Sequence, residues 1–227
     1  MSSNPKVVSK QDGASEVGTS GAVMKLASTR ELYDYWNSLR GARSAPERSE
    51  IDPVAIRGVL ADTFILEVAP AAGYPFRVAG GRTSSLLQRE LRGRPFMGIW
   101  DVASRGEIAD LLALVSDEAS PVVGGVSAKA TGFQPLELEL LVLPLRHRGA
   151  THARILGLCS PTSIANWAGL APVTSMTLQS MRVLRRGDGQ SRVAATSASP
   201  STPQLETIGR LIRRGHFQMF SNAQRRS

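Results

Sequence analysis

Three consecutive segments with the pattern of β-strands constrain the fold of this chain more than any other feature. They cover residues 122–131, 136–145 and 153–160, after Pro121. Only short turns separate them, one through Gly132 and Pro135 and one at Arg148-Gly149. Strands joined by short turns pair antiparallel. The sequence therefore predicts a three-stranded antiparallel meander in the second half of the chain.

The middle strand of this meander carries information about what must pack against it. Leucines alternate with Glu137 and Glu139 in its first half, which predicts one water-facing side. Residues 140–143 are apolar on both faces, a pattern typical of a strand that is covered on both sides. Another element must therefore cover the outer face there, either the helix predicted over residues 28–40 or the same surface of a second copy.

That helix is short and amphipathic. Ser28 and Glu31 stand three apart, as the two halves of a capping box do, and Gly41 supplies a stop. Its apolar side chains recur at i, i+3, i+4 and i+7. They are candidate interface residues if the stripe meets another molecule, and packing residues if it covers the sheet: Leu32, Tyr35, Trp36 and Leu39.

The segments between this helix and the meander complete the fold prediction. Residues 63–68 and 74–79 read as a hairpin that ends at Gly80-Gly81, and residues 84–91 as a short helix. A longer helix follows Asp101. Its buried face is predicted to consist of Ile108, Leu111, Leu112 and Val115. This order predicts an α+β domain, a five-stranded antiparallel sheet with short helices on one face.

Six short sequence motifs occur in a characteristic order along this domain. They are YWNSLRG at 35–41, IDP at 51–53, FRVAG at 76–80, RELRGRPF at 89–96, LVLPLR at 141–146 and ILG at 155–157. In these motifs the chain resembles a divergent PAS subfamily common in alphaproteobacteria, over roughly residues 30–185. It departs from that subfamily at Gly81, where Thr is frequent, and at Gln88, where Gly is usual.

The resemblance implies a sensory or protein-interaction module without catalytic output, which binds a small ligand or a signalling protein and can form a homodimer. A PAS ligand cavity would lie between the sheet and the short helices, and a plain core is the alternative. The candidate pocket residues are Phe64, Leu66, Phe76, Leu87, Trp100, Leu111, Leu112 and Val115.

The resemblance also bears on cofactors, whose identity stays open. A haem-binding PAS domain usually takes its axial ligand from the long helix, and residues 102–118 contain no histidine. A flavin photoreceptor of this fold needs a cysteine among the short helices, and residues 80–100 contain none. Both patterns argue against haem and flavin.

The sequence contains no recognisable catalytic or metal-binding pattern. Neither His147 nor His152 has a metal-ligand partner at helical i, i+4 spacing, and Cys159 reads as a buried small apolar side chain. A single cysteine excludes an intramolecular disulfide and fits a reducing, cytoplasmic setting. No segment has the length and hydrophobicity of a membrane span or a secretory signal. We therefore expect no catalytic residue and no metal site.

The net charge of +8 is concentrated near the C-terminus. Residues 181–227 hold nine arginines against Asp188 and Glu206, so the first 180 residues carry only +1. We expect four regions: a disordered segment 1–27, a domain 28–185, a flexible linker 186–203, and a basic tail 204–227 with a short helix.

That tail supports an alternative function, binding of nucleic acid or another anionic surface. Its candidate residues are Arg210, Arg213 and Arg214.

Overall fold

A computed structural model describes residues 24–185, which form a six-stranded antiparallel sheet with helices on both faces. The helices are α1 (Ala27–Arg40), α2 (Gly81–Leu87) and α3 (Arg105–Asp117), with short 3-10 helices at Arg48–Glu50, Leu60–Asp62, Pro70–Ala72 and Phe96–Ile99. The strands are β1 (Thr63–Glu67), β2 (Phe76–Ala79), β3 (Val122–Lys129), β4 (Leu136–His147), β5 (Ala150–Pro161) and β6 (Ser175–Val183). Their order across the sheet is β2-β1-β5-β4-β3-β6.

The predicted fold class, hairpin and meander are confirmed, but the sheet has one more strand than expected. β1 pairs with β2, β4 pairs with both β3 and β5, and every pair is antiparallel. The sixth strand, β6, pairs with β3 from Ser175 to Val183. From the sequence, residues 176–184 were open to either one more strand or looser packing against the domain, and the structure shows the strand.

Helix α1 covers the outer face of the sheet within the same chain. Leu32 and Trp36 are fully buried against Leu141, Leu143 and Leu145, the two-sided apolar part of β4. The other two candidate interface residues, Tyr35 and Leu39, are half-buried against the same cluster. In this structure Leu32 and Trp36 therefore pack on the sheet of the same chain.

The start of α1 differs from the sequence prediction. The helix begins at Ala27, and the capping box expected from Ser28 and Glu31 is wrong because no side chain caps the helix from these positions. Instead, the backbone N–H groups of Lys25 and Leu26 donate to the Glu139 carboxylate, at 2.7 and 3.1 Å. A carboxylate at this end of the helix complements the helix dipole.

This contact corrects one expectation drawn from the sequence. Glu139 is buried, whereas the alternating pattern of β4 placed it on a water-facing side; Glu137 is exposed as expected. Met24 is also buried, in the core beneath α1. Residues 24–27, at the end of the segment predicted to be disordered, belong to the part of the chain that the structure describes. The rest of that segment, the linker and the tail lie outside the described residues.

Candidate functional site

The space between the sheet and helices α2 and α3 is the candidate site. All eight predicted pocket residues lie there in one buried cluster: Phe64, Leu66, Phe76, Leu87, Trp100, Leu111, Leu112 and Val115. The predicted apolar face of α3 is confirmed, since Ile108, Leu111, Leu112 and Val115 are all fully buried. The side chains come from β1, β2, α2, α3 and the segment between the two helices, so the fold gathers them from distant parts of the sequence.

Four aromatic rings fill the centre of this cluster, and we refer to them as the aromatic quartet: Phe64, Phe76, Phe96 and Trp100. Phe96 contacts the other three rings at centroid distances of 5.4 to 5.6 Å, with two edge-to-face arrangements and one stacked. Phe64 lies directly over Gly157 of β5, where a Cβ atom would come within 2.1 Å of the ring. The quartet is therefore held by its own contacts and by the absence of a side chain at position 157.

Phe96 is the residue that sequence reasoning missed. It sits on the short 3-10 helix Phe96–Ile99, directly after Pro95, and is 2% exposed. The sequence feature that could have indicated Phe96 is its position in the motif RELRGRPF, where it is the one aromatic residue. A segment too short for a periodicity gave no reason to assign it to a buried face.

Among the buried residues of α2 and of the segment between α2 and α3, two side-chain polar atoms have no hydrogen-bond partner within residues 24–185. They are the indole Nε1 of Trp100 and the hydroxyl Oγ1 of Thr83, in residues that are 2% and 6% exposed. Buried tryptophan N–H groups normally find an acceptor, and an unpaired buried donor costs about 1–3 kcal/mol. An acceptor group brought into this interior by a small molecule would remove that cost.

The backbone beside Trp100 connects the aromatic quartet to the edge strand β6. Asp101 N–H donates to the Met176 carbonyl at 2.9 Å, and the Thr177 hydroxyl donates to the Asp101 carboxylate at 2.5 Å. The next residue of β6, Leu178, donates its N–H to the Ser104 hydroxyl at 3.2 Å. The hydrogen bond from Thr177 is the main reason why the pKa of Asp101 lies below its ordinary value. A displacement of Trp100 would therefore also displace β6, through the hydrogen bonds of the neighbouring Asp101.

Within residues 24–185, no group of three or more His, Cys, Asp or Glu side chains is arranged to hold a metal ion. The one thiol of the chain, Cys159, is buried on β5, and it belongs to the same core cluster as the quartet. Burial raises the pKa of the Cys159 thiol to about 12, with a smaller contribution from the Asp62 charge. None of the helices that the structure describes is long and apolar enough to cross a bilayer.

Because its pKa is raised to about 12, Cys159 is expected to remain a thiol at neutral pH and to react slowly with thiol reagents. Labelling of the native protein with a chromogenic disulfide should be at least about a hundredfold slower than labelling in concentrated urea, since both the charge state and access are restored by unfolding. Fast, stoichiometric labelling of the native protein would contradict the burial of this thiol.

The basic tail residues Arg210, Arg213 and Arg214 lie outside the described residues. Their proposed contact with nucleic acid or another anionic surface, and the short helix that would carry them, remain predictions.

A family model described as a PAS domain matches residues 24–160, so β6 lies beyond the matched residues. No curated protein matches the chain.

Solved structures with a similar fold include two light-oxygen-voltage proteins and one PAS domain. A light-oxygen-voltage domain studied with a flavin analogue shares 12% identity over 48% of this chain and 83% of its own, with a TM-score of 0.40. The light-oxygen-voltage protein of Rhodobacter sphaeroides shares 14% over 49% and 67%, with a TM-score of 0.37. A PAS domain from Colwellia psychrerythraea shares 11% over 48% and 97%, also at 0.37.

Proposed function

Because the chain belongs to the PAS domain family, we propose that it is a sensory and protein-interaction module of a signalling pathway, with no catalytic output of its own. In this proposal a small molecule binds at the aromatic quartet, and the domain then changes its association with a partner protein or a second copy. The observation that carries the proposal is the buried Trp100 Nε1, which has no acceptor among residues 24–185 and lies in a largely apolar cluster.

The side chains of the aromatic quartet predict the chemistry of the ligand. Aromatic rings at centroid distances of 5.4 to 5.7 Å favour a flat, largely apolar molecule that takes the place of one ring's contacts. The N–H of Trp100 requires one hydrogen-bond acceptor on that molecule, such as a carbonyl or ring nitrogen. Phe96 is the ring best placed to make room, because the 3-10 helix that carries it is the less stable kind of helical turn.

The proposed output runs through β6. A ligand that moves Trp100 also moves Asp101, which is bonded to Met176 and Thr177 at the start of that strand. At the end of β6, Leu184 N–H donates to the Pro121 carbonyl at 2.8 Å, and residues 186–227 continue from there. A change at the quartet is thereby coupled to the position from which the C-terminal segment leaves the domain.

We expect Trp100→Phe to lower ligand occupancy, because it removes the buried donor while keeping an aromatic ring. Full-length protein would be purified gently and examined by native mass spectrometry, which reports bound small molecules and subunit number together. The occupied fraction should fall by about tenfold, the loss that corresponds to one unmatched hydrogen bond. Trp167→Phe is the matched control, because Trp167 belongs to the same core cluster but stacks on Phe133, away from the quartet.

Equal occupancy in both variants would show that Trp100 does not hold the ligand. Wild-type protein that carries no small molecule, and binds none from a library of flat apolar acceptors, would remove the ligand from the proposal and leave partner binding as the sensory event. Bound ligand with an unchanged subunit number and unchanged partners would instead contradict the proposed output.

A further inference from the structure

A groove of about 580 Å³ opens on the same face of the sheet as α1, at strands β2, β1 and β5. The hairpin turn between β4 and β5 and the 3-10 helix Arg48–Glu50 form its other walls. It lies on the opposite face of the sheet from the aromatic quartet. None of the candidate residues identified from the sequence lines it.

A β-bulge shapes the floor of this groove. Val78 of β2 lies opposite Ile65 of β1, but the next pair is Phe76 with Leu66, so Arg77 has no partner residue on β1. An extra residue of this kind turns its side chain out of the strand alternation. Arg77 thus lines the same groove as its neighbour Val78, which is 47% exposed and, with Ile65, gives the groove an apolar floor.

Guanidinium groups surround this floor in excess over carboxylates. Arg77 and Arg154 share the single carboxylate of Glu67, with an Arg154–Glu67 distance of 3.4 Å. Glu47, the one acidic residue in the lining, is paired with Arg146 at 3.5 Å. The carboxylates of Glu47 and Glu67 are therefore already paired with three arginines.

Two further arginines that line the groove have no carboxylate partner among the described residues. Neither Arg48 nor Arg148 lies within ion-pair distance of a carboxylate in the part of the chain that the structure describes. Both stand at the rim, Arg48 on a 3-10 helix and Arg148 in the β4–β5 turn. The first 180 residues carry a net charge of only +1, so this local excess of positive charge is a property of one face and not of the whole domain.

We propose that this groove docks an acidic segment of a partner protein in which carboxylate side chains alternate with an aliphatic one. Carboxylates match the planar fork of the free guanidiniums of Arg48 and Arg148, and an aliphatic side chain between them would bury the exposed part of Val78. The proposal gives a partner to the interaction module proposed above and rests on that role, but it is independent of the ligand at Trp100.

A protein segment fits the groove better than a nucleic acid does. The described residues that line it include no Phe, Tyr or Trp on which a base could stack. The carboxylates of Glu47 and Glu67 also lie among the arginines, and they would repel a continuous row of phosphates. Spaced carboxylates with an apolar residue between them avoid both conflicts.

The test measures binding of a fluorescein-labelled peptide of alternating Glu and Val to the full-length protein by fluorescence anisotropy. The double variant Arg48→Ser/Arg148→Asn removes the two unpaired rim arginines, with Asn chosen because Arg148 has a φ of 52°. Its Kd should rise about tenfold. The matched control is Arg57→Ser/Arg92→Asn, which removes the same charge from exposed arginines outside the groove and should change Kd less than about twofold.

The apolar floor is tested separately. Val78→Thr keeps a β-branched residue but places a hydroxyl in the floor of the groove. It should raise the Kd for the same peptide about threefold. Val102→Thr, at a position that is 79% exposed and outside the groove, should have no effect. A peptide with Gln in place of Glu should not bind, and binding of the Glu peptide should fall as NaCl is raised to about 0.5 M.

Three results would overturn the proposal. Equal weakening by both double variants would place the peptide on another basic region, such as the C-terminal tail. Tighter binding of a single-stranded oligonucleotide that is lost in the Arg48/Arg148 variant would make the groove a nucleic-acid site. No binding of the peptide to the wild-type protein at millimolar concentration would exclude an acidic segment altogether. A ligand retained at Trp100 in any of these cases would leave the sensory proposal intact.

Discussion

Replacing Trp36 with alanine is expected to lower the free energy of unfolding by about 3–5 kcal/mol, the usual cost of removing a buried aromatic side chain. Trp36 is fully buried, it contacts the ring of Tyr33 at a centroid distance of 6.1 Å, and its Nε1 donates to the Pro144 carbonyl at 2.8 Å. The variant would leave a cavity between α1 and β4 and also a buried carbonyl that has lost its donor. Urea denaturation followed by circular dichroism measures the change.

Two further variants on this helix separate the contributions. Trp36→Phe keeps most of the ring but removes the donor to Pro144, and should cost about 1–2 kcal/mol. Ser38→Ala, at an exposed position of α1, should stay within about 0.5 kcal/mol of the wild type. A Trp36→Ala protein with wild-type stability and an altered sedimentation profile would instead assign Trp36 to an interface between copies.

The parts of the fold that the sequence predicted correctly depend on local patterns. The meander follows from alternation within each strand and from the short turns, and the buried face of α3 follows from one stripe of helical spacing. The cover over β4 was predicted only as one of two alternatives, α1 or a second copy, because residues 140–143 are apolar on both faces; the structure places α1 there.

The parts that were missed depend on contacts between residues far apart in the chain. Glu139 binds the backbone of Lys25 and Leu26 across more than 110 residues, and only the folded sheet brings them together. Local spacing suggested Ser28 and Glu31 as the cap, and Glu139 as a water-facing residue. The helix start instead uses a carboxylate from β4, which also explains why this charged residue can be buried.

The candidate sites differ in how far the sequence could reveal them. The pocket residues were accessible because apolar residues on strands and helices of known order must face a common interior. The basic groove was not, since Arg48, Arg77, Arg148 and Arg154 come from four separate segments. The bulge at Arg77 adds a second obstacle, because strict alternation would have placed Arg77 and Val78 on opposite faces.

Gly80→Ala is expected to lower the free energy of unfolding by about 3 kcal/mol or more, because the new methyl group would collide with backbone and not with a movable side chain. A Cβ at position 80 would come within 2.4 Å of the carbonyl oxygens of both Leu60 and Ala61. The chain has little room to withdraw, because Gly80 N–H donates to the Thr63 carbonyl at 2.8 Å and the Gly80 carbonyl accepts from Ser84 N–H at 3.0 Å.

The adjacent residue supplies the control for this substitution. Gly81 is the first residue of α2, and a Cβ there would meet no atom within 4 Å. Gly81→Ala should therefore raise the free energy of unfolding by about 0.4–1 kcal/mol, since alanine restricts the unfolded chain and favours the helix. The pair separates the collision from a general effect of losing glycine in this turn. Equal changes in the two urea midpoints would show that the close approach of Gly80 to residues 60 and 61 does not limit this position.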